Sequence, residues 1–211
     1  MDIIQLFYIV ILIFSVILHE VAHGYAADYL GDPTARLQGR LTLNPVPHID
    51  MLGSIILPAL LIFSHAGFVI GWAKPVPYNP YNLKNQRSGT FIVAIAGVFT
   101  NFLIALFFGL LVRFSGELGI GSQAFLEIAS MVIFVNVLLG VFNLIPIPPL
   151  DGSKVLFSLL SPTLYYIEEF LSRYSIILLI LLIFFLWRLV LPAVYFLFAL
   201  FSGVSLGILN I

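Results

Sequence analysis

The chain has 211 residues, of which 61% are hydrophobic and 9% charged, whereas a soluble domain carries about 25% charged residues. Its mean hydropathy of +1.13 places it in a membrane. A formal net charge of −1 leaves no basic surface for nucleic acid, and the lack of cysteine excludes disulfides, thiolate metal ligands and a cysteine nucleophile.

The first apolar run extends from Ile3 to about Leu30 and stops at Gly31, Asp32 and Pro33. It has no basic leader and no small-residue cleavage site, so it reads as a retained helix and not a signal peptide. Near its end stands HEVAH, of the form HExxH, at His19, Glu20 and His23. Histidines four apart on a helix share one face and can reach one zinc ion, while the glutamate between them is placed to take a proton from water. Helix-end polar residues facing a crevice would give the same letters, but within lipid each ionisable group costs several kcal/mol, roughly 3 by insertion scales.

After a polar segment with Arg36 and Arg40, residues 52–72 are apolar but interrupted by Pro58, His65, Gly67 and Gly71. KPVPYNPYNL follows, too rich in proline for a helix. It could offer a substrate an extended edge to pair with, or serve only as an interfacial loop. Further helices are expected from about Thr90 to Val112 and from about Ala124 to Ile145, where PIPPLDG halts the second. The last apolar stretch, Ser175 to Ile211, holds two spans broken near Trp187, Arg188 and Pro192. The expected architecture is therefore all-α, with about five to six transmembrane helices and a re-entrant or hairpin segment after the first. Residues 1–211 form one domain, with a core over 1–160 and C-terminal helices over 163–211.

A catalytic zinc takes three protein ligands and leaves one position for water. Asp2 lies at the far end of the first helix, Glu117 and Glu127 flank a loop at the opposite face, and Glu168 and Glu169 read as solvated. Asp151, directly after a spanning helix and before Gly152, is the third ligand expected. It could also cap a short helix starting near Ser153. If residues 52–72 crossed fully, Asp151 and the histidines would end on opposite faces, separated by most of the roughly 30 Å core. If the segment dips in and returns, they meet. Arg36, Arg40, Lys74, Lys84, Arg87, Lys154 and Arg173 then share one side, with Arg113 and Arg188 on the other. That is a strong positive-inside bias and places the site toward the cytoplasm. His48 and His65 read as hydrated interfacial histidines, and Ser15, one turn before His19, has no third partner for a serine triad.

HExxH in the first helix, GVFTN at 97–101 opening a later one, and N-x-x-P-x-x-x-L-D-G at 143–152 together resemble the site-2 protease family of intramembrane zinc metalloproteases, peptidase family M50. GDPTARLQGRLTLNPVPHID and GWAKPVPYNPYNL resemble its compact bacterial and archaeal members, without PDZ or CBS domains. GVFTN departs from the family in lacking a proline after the glycine. The resemblance implies zinc held by His19, His23 and Asp151, with Glu20 as base and Asn143 supporting the scissile carbonyl. It also implies hydrolysis of peptide bonds in or near transmembrane segments of membrane proteins, in the cell membrane of a bacterium or archaeon. A metal-ion or proton transporter using the same His/Asp cluster is the other reading. A different HExxH protease would use a downstream glutamate as third ligand.

Overall fold

α1 (Ile3–Tyr29) forms because 27 largely apolar residues pass without a proline, and it ends as Gly31 takes a φ of 109° that a side chain would resist. The computed structural model describes residues 3–64, 71–182, 184 and 187–204, so Asp2, His65 and the end of the C-terminal stretch lie outside the described residues. Among the described residues every regular element is helical. α2 (Thr34–Leu37) is a single turn, followed by a π-helical turn at Met51–Ile56 and by α3 (Leu57–Phe63). α4 (Gln86–Arg113) and α5 (Gln123–Asn143) join α1 as the three helices long and apolar enough to cross a membrane. α6 (Asp151–Leu159), α7 (Tyr165–Arg173), α8 (Ser175–Leu181) and α9 (Trp187–Ser202) complete the order.

α4 begins a turn earlier than its apolar run indicates, because the Asn85 side chain caps it by accepting from the Ser88 N–H at 3.0 Å. Ser122 caps α5 in the same way through the Phe125 N–H. Two expectations are corrected. GVFTN does not open a helix but lies within α4, and Asp151 is the first residue of α6, whose cap position is Leu150.

α4 is central, touching α1, α5, α6 and α9. Ala105 of α4, Ile133 and Val137 of α5, and Val194 and Phe198 of α9 are fully buried together. Gly109 lets the backbone of α9 approach, for a Cβ there would stand 2.8 Å from the carbonyl carbon of Phe201. Outside this core, Ile4, Phe7, Val10 and Phe14 of α1 and Phe99 and Phe107 of α4 are exposed. Apolar surface on that scale needs lipid to cover it, so the chain is an integral membrane protein.

The connection from α1 to α4 is held by hydrogen bonds and not by a sheet. The buried Asp32 carboxylate accepts from the Thr34 hydroxyl, from the Asn79 N–H at 2.6 Å and from the Asn82 amide at 2.8 Å. Burial alone would push this carboxyl up, but those donors outweigh it and hold it below the usual carboxylate range. The two ends of 53–72 also meet. The Trp72 N–H donates to Gly53 O at 3.2 Å, the Ser54 hydroxyl to Trp72 O at 2.8 Å, and the Trp72 ring lies where a Gly53 Cβ would be.

Candidate metal centre

With 1.5 Å of rise per residue, His19 and His23 lie about 15 and 9 Å from the end of α1. Asn143, the last residue of α5, lines the same cavity as both histidines. Gly152 then lets α6 start against the last carbonyls of α5, since a Cβ there would collide with Leu144 O. That close approach carries Asp151 inward. The Pro148–Pro149 peptide just before it is cis.

Three atoms converge. Asp151 Oδ2 lies 2.9 Å from His19 Nε2 and 3.0 Å from His23 Nε2, and the two ring nitrogens are 3.0 Å apart. The three residues are 5%, 6% and 5% exposed. His23 Nδ1 donates to Val93 O of α4 at 2.6 Å, which fixes its tautomer and turns the Nε2 lone pair toward the other two atoms. Such a set fits a small cation: tetrahedral zinc with bonds near 2.0–2.1 Å separates its ligands by about 3.3 Å. Gly97 of α4 makes room, because a Cβ would come within 2.7 Å of both imidazoles. On the same face of α4 one turn further, Asn101 is fully buried.

Asp151 Oδ1 accepts from Lys154 Nζ at 3.0 Å, so the carboxylate offers one oxygen to the histidines and one to the lysine. Burial acts to raise the Asp151 carboxyl, but hydrogen bonds to His19 and His23 and the charges of His23 and Lys154 win, and it stays well below the usual range. The Lys154 ammonium is pushed down by burial and, more strongly, up by the Asp151 and Glu20 charges and by Tyr78. Tyr78 lies beneath it, 5.8 Å from ring centroid to Nζ.

The three metal-capable side chains open on a cavity of about 290 Å³ that Glu20, Asn143, Trp72 and Val76 also line. Glu20 Oε2 accepts from the Val76 N–H at 2.7 Å. Asn143 donates one amide hydrogen to Leu139 O of its own helix at 3.0 Å, leaving a second for the cavity. All five residues expected from sequence thus surround one space.

The remaining candidates stay apart. Glu117 and Glu127 are exposed, and Glu169 pairs with Arg173. Ser15 accepts from Asn136 at 2.9 Å and serves helix packing. His48 is not hydrated as expected: it is 2% exposed and its Nε2 donates to Thr42 O, closing a turn. Lys154 and the Val76 and Val93 backbones escaped sequence reading. A charged residue three positions after the expected ligand, on a helix, was the available signal for Lys154.

YwhC of Bacillus subtilis, named as a candidate zinc metalloprotease, is 40% identical over 159 residues, 73% of this chain and 69% of that protein. Residues 115–185 match the model of peptidase family M50, and that stretch contains Asn143 and Asp151. The chain belongs to this family. Rip2 of Mycolicibacterium smegmatis, named as a candidate zinc metalloprotease, is 32% identical over 70% of this chain and 55% of its own length. The zinc metalloprotease MJ0392 of Methanocaldococcus jannaschii is 25% identical over 76% of this chain and 36% of its own length. The chain therefore spans little more than half of Rip2 and about a third of MJ0392. No solved structure matches it.

Proposed function

We infer that the chain is an intramembrane zinc metalloprotease that hydrolyses peptide bonds in or near transmembrane segments of membrane proteins. The observation that carries this reading is the convergence of His19, His23 and Asp151 at 2.9–3.0 Å beside Glu20, on helices apolar enough to span a bilayer. Membership of a peptidase family weighs against the transporter.

His19, His23 and Asp151 would hold the zinc. When bound, it supplies a Lewis acid for the scissile carbonyl and lowers the pKa of water toward about 7. Glu20 has one oxygen held by the Val76 N–H, leaving the other to take a proton from the attacking water and return it to the leaving amine. The second amide hydrogen of Asn143 is placed to stabilise charge developing on the carbonyl oxygen. A substrate helix unwinds locally to reach these groups, because its own hydrogen bonds shield each peptide unit.

Residues 52–72 enter the membrane and return, so that the site lies toward the cytoplasmic side of the cell membrane. The Trp72–Gly53 and Trp72–Ser54 bonds support this, because they hold both ends of the segment at one level, and the lysine and arginine bias agrees. Residues 1–211 act as one domain, since α9 shares the core of α4 and α5.

The test uses full-length protein in detergent with a single-span substrate. Wild type and Glu20→Gln should bind equal zinc, while the variant loses cleavage by about 10²-fold or more. Equal cleavage with equal zinc would remove Glu20 from the reaction, and ion flux without proteolysis would restore the transporter.

A further inference from the structure

Residues 71–79 form no regular secondary structure, and six of them, from Gly71 to Tyr78, line the cavity that holds the site. Lys74 and Val76 each precede a proline, which disfavours helical backbone at both, and Pro75 and Pro77 have fixed φ and no N–H. Within Pro75-Val76-Pro77 the chain therefore has one donor, and it points at Glu20 at 2.7 Å. The same residue docks through its side chain: a Cβ on Gly24, one turn beyond Glu20 on α1, would stand 2.8 Å from Val76 Cγ1. Val76 thus sits on α1 at two points four residues apart, and is 5% exposed.

The other bonds of this segment go to scaffold. The Lys74 N–H donates to His48 O at 2.9 Å, Arg40 reaches the carbonyls of Lys74 and Pro75 at 2.8 and 3.2 Å, and the Asn79 N–H reaches Asp32. The bond from Val76 alone among these ends on a group that the proposed reaction uses. Among the described residues the N–H groups of residues 72, 74, 76 and 79 are engaged, and 75 and 77 have none, so an incoming strand would have to pair through the groups between them.

We propose that Val76 is the positioning residue for the catalytic base, and that residues 71–79 form a strap latched over the cavity by its N–H. This rests on the proteolytic reading for its effect on turnover, but the latch itself does not. Orientation of Glu20 and docking of the strap at Val76 are then coupled: freeing Val76 lets the carboxylate turn, and removing the carboxylate loosens the strap at that point while its other anchors remain. Trp72, Pro75 and Tyr78 line the same cavity, so release at Val76 would loosen the cavity wall beside a carboxylate that is free to turn.

Two measurements test this on the full chain. In zinc-free protein, backbone hydrogen exchange over 71–79 should quicken about 10-fold in Glu20→Ala, but far less in Glu20→Gln, whose side-chain carbonyl still accepts. Equal protection in wild type and Glu20→Ala would overturn the latch, whatever the protein cleaves. In zinc-loaded protein, Val76→Pro removes the donor and Val76→Ala keeps it. The proline variant should lose about 10-fold more kcat than the alanine variant, with KM and zinc affinity alike in the two. Equal kcat in both, or a loss of zinc affinity that accounts for the lower kcat of the proline variant, would reduce Val76 to scaffold.

Discussion

Gly152 shows how one missing side chain places a candidate metal ligand. The motif L-D-G reads from sequence as a ligand beside a flexible turn, but the glycine meets a stricter demand, since no other residue lets the start of α6 press on Leu144 O and Ile145 O. Gly152→Ala should therefore lower zinc affinity by about 10-fold or more without changing a ligand, as read by competition with a chelator. Gly116→Ala, with open space around it, should leave affinity unaltered. Equal affinity in both variants would mean that α6 has more freedom than its packing indicates. His19, Glu20 and His23 were legible because a helical period fixes their relation in advance. Asp151 needed a topological argument and a family resemblance, since 128 residues separate it from His23. Lys154 at Asp151 Oδ1, Val93 O at His23 and the Val76 N–H at Glu20 were not legible, because only packing decides which polar groups meet.

Elements followed the same division. The long helices were visible as apolar runs, and their starts were displaced only where a polar side chain caps the first turn, as Asn85 does. The family resemblance makes GVFTN a helix opening, whereas the apolar run from about Thr90 already encloses it, and within α4 Gly97 is small to admit two imidazoles. The described parts of the connection from 31 to 85 were least legible, since they are held by side chains reaching distant polar groups, foremost Asp32 to the Asn79 N–H and the Asn82 side-chain amide. The Asp32 carboxyl is held below the usual value of about 4, so its contribution is full above pH 4 and is lost as pH falls through the lower folded value. Asp32→Asn should cost about 2 kcal/mol at pH 7, and the gap to wild type should narrow below about pH 4 in thermal unfolding. A gap constant down to pH 2 would show that the charge contributes nothing.

At the scale of the molecule, the site exists only if α1 and α6 approach the same face, which requires residues 52–72 to return. The chain has no cysteine, so single cysteines report orientation cleanly. Leu37 and Tyr81, 79% and 84% exposed, flank the segment. Cysteines at the two positions should both label from the cytoplasmic side in sealed vesicles. Labelling from opposite sides would mean a full crossing. Zinc held by His19, His23 and Asp151 would join α1 to α6, and so would stabilise the folded state in proportion to its saturation.

The most direct test is zinc-edge X-ray absorption on purified protein, with Asp151→Ala alongside. Wild type should bind one zinc with two imidazole nitrogens near 2.0–2.1 Å and oxygen ligands near 2.0–2.2 Å, and Asp151→Ala should lose an oxygen scatterer and much of its affinity. A stoichiometric zinc whose spectrum is the same in both proteins would place the metal elsewhere and contradict the account.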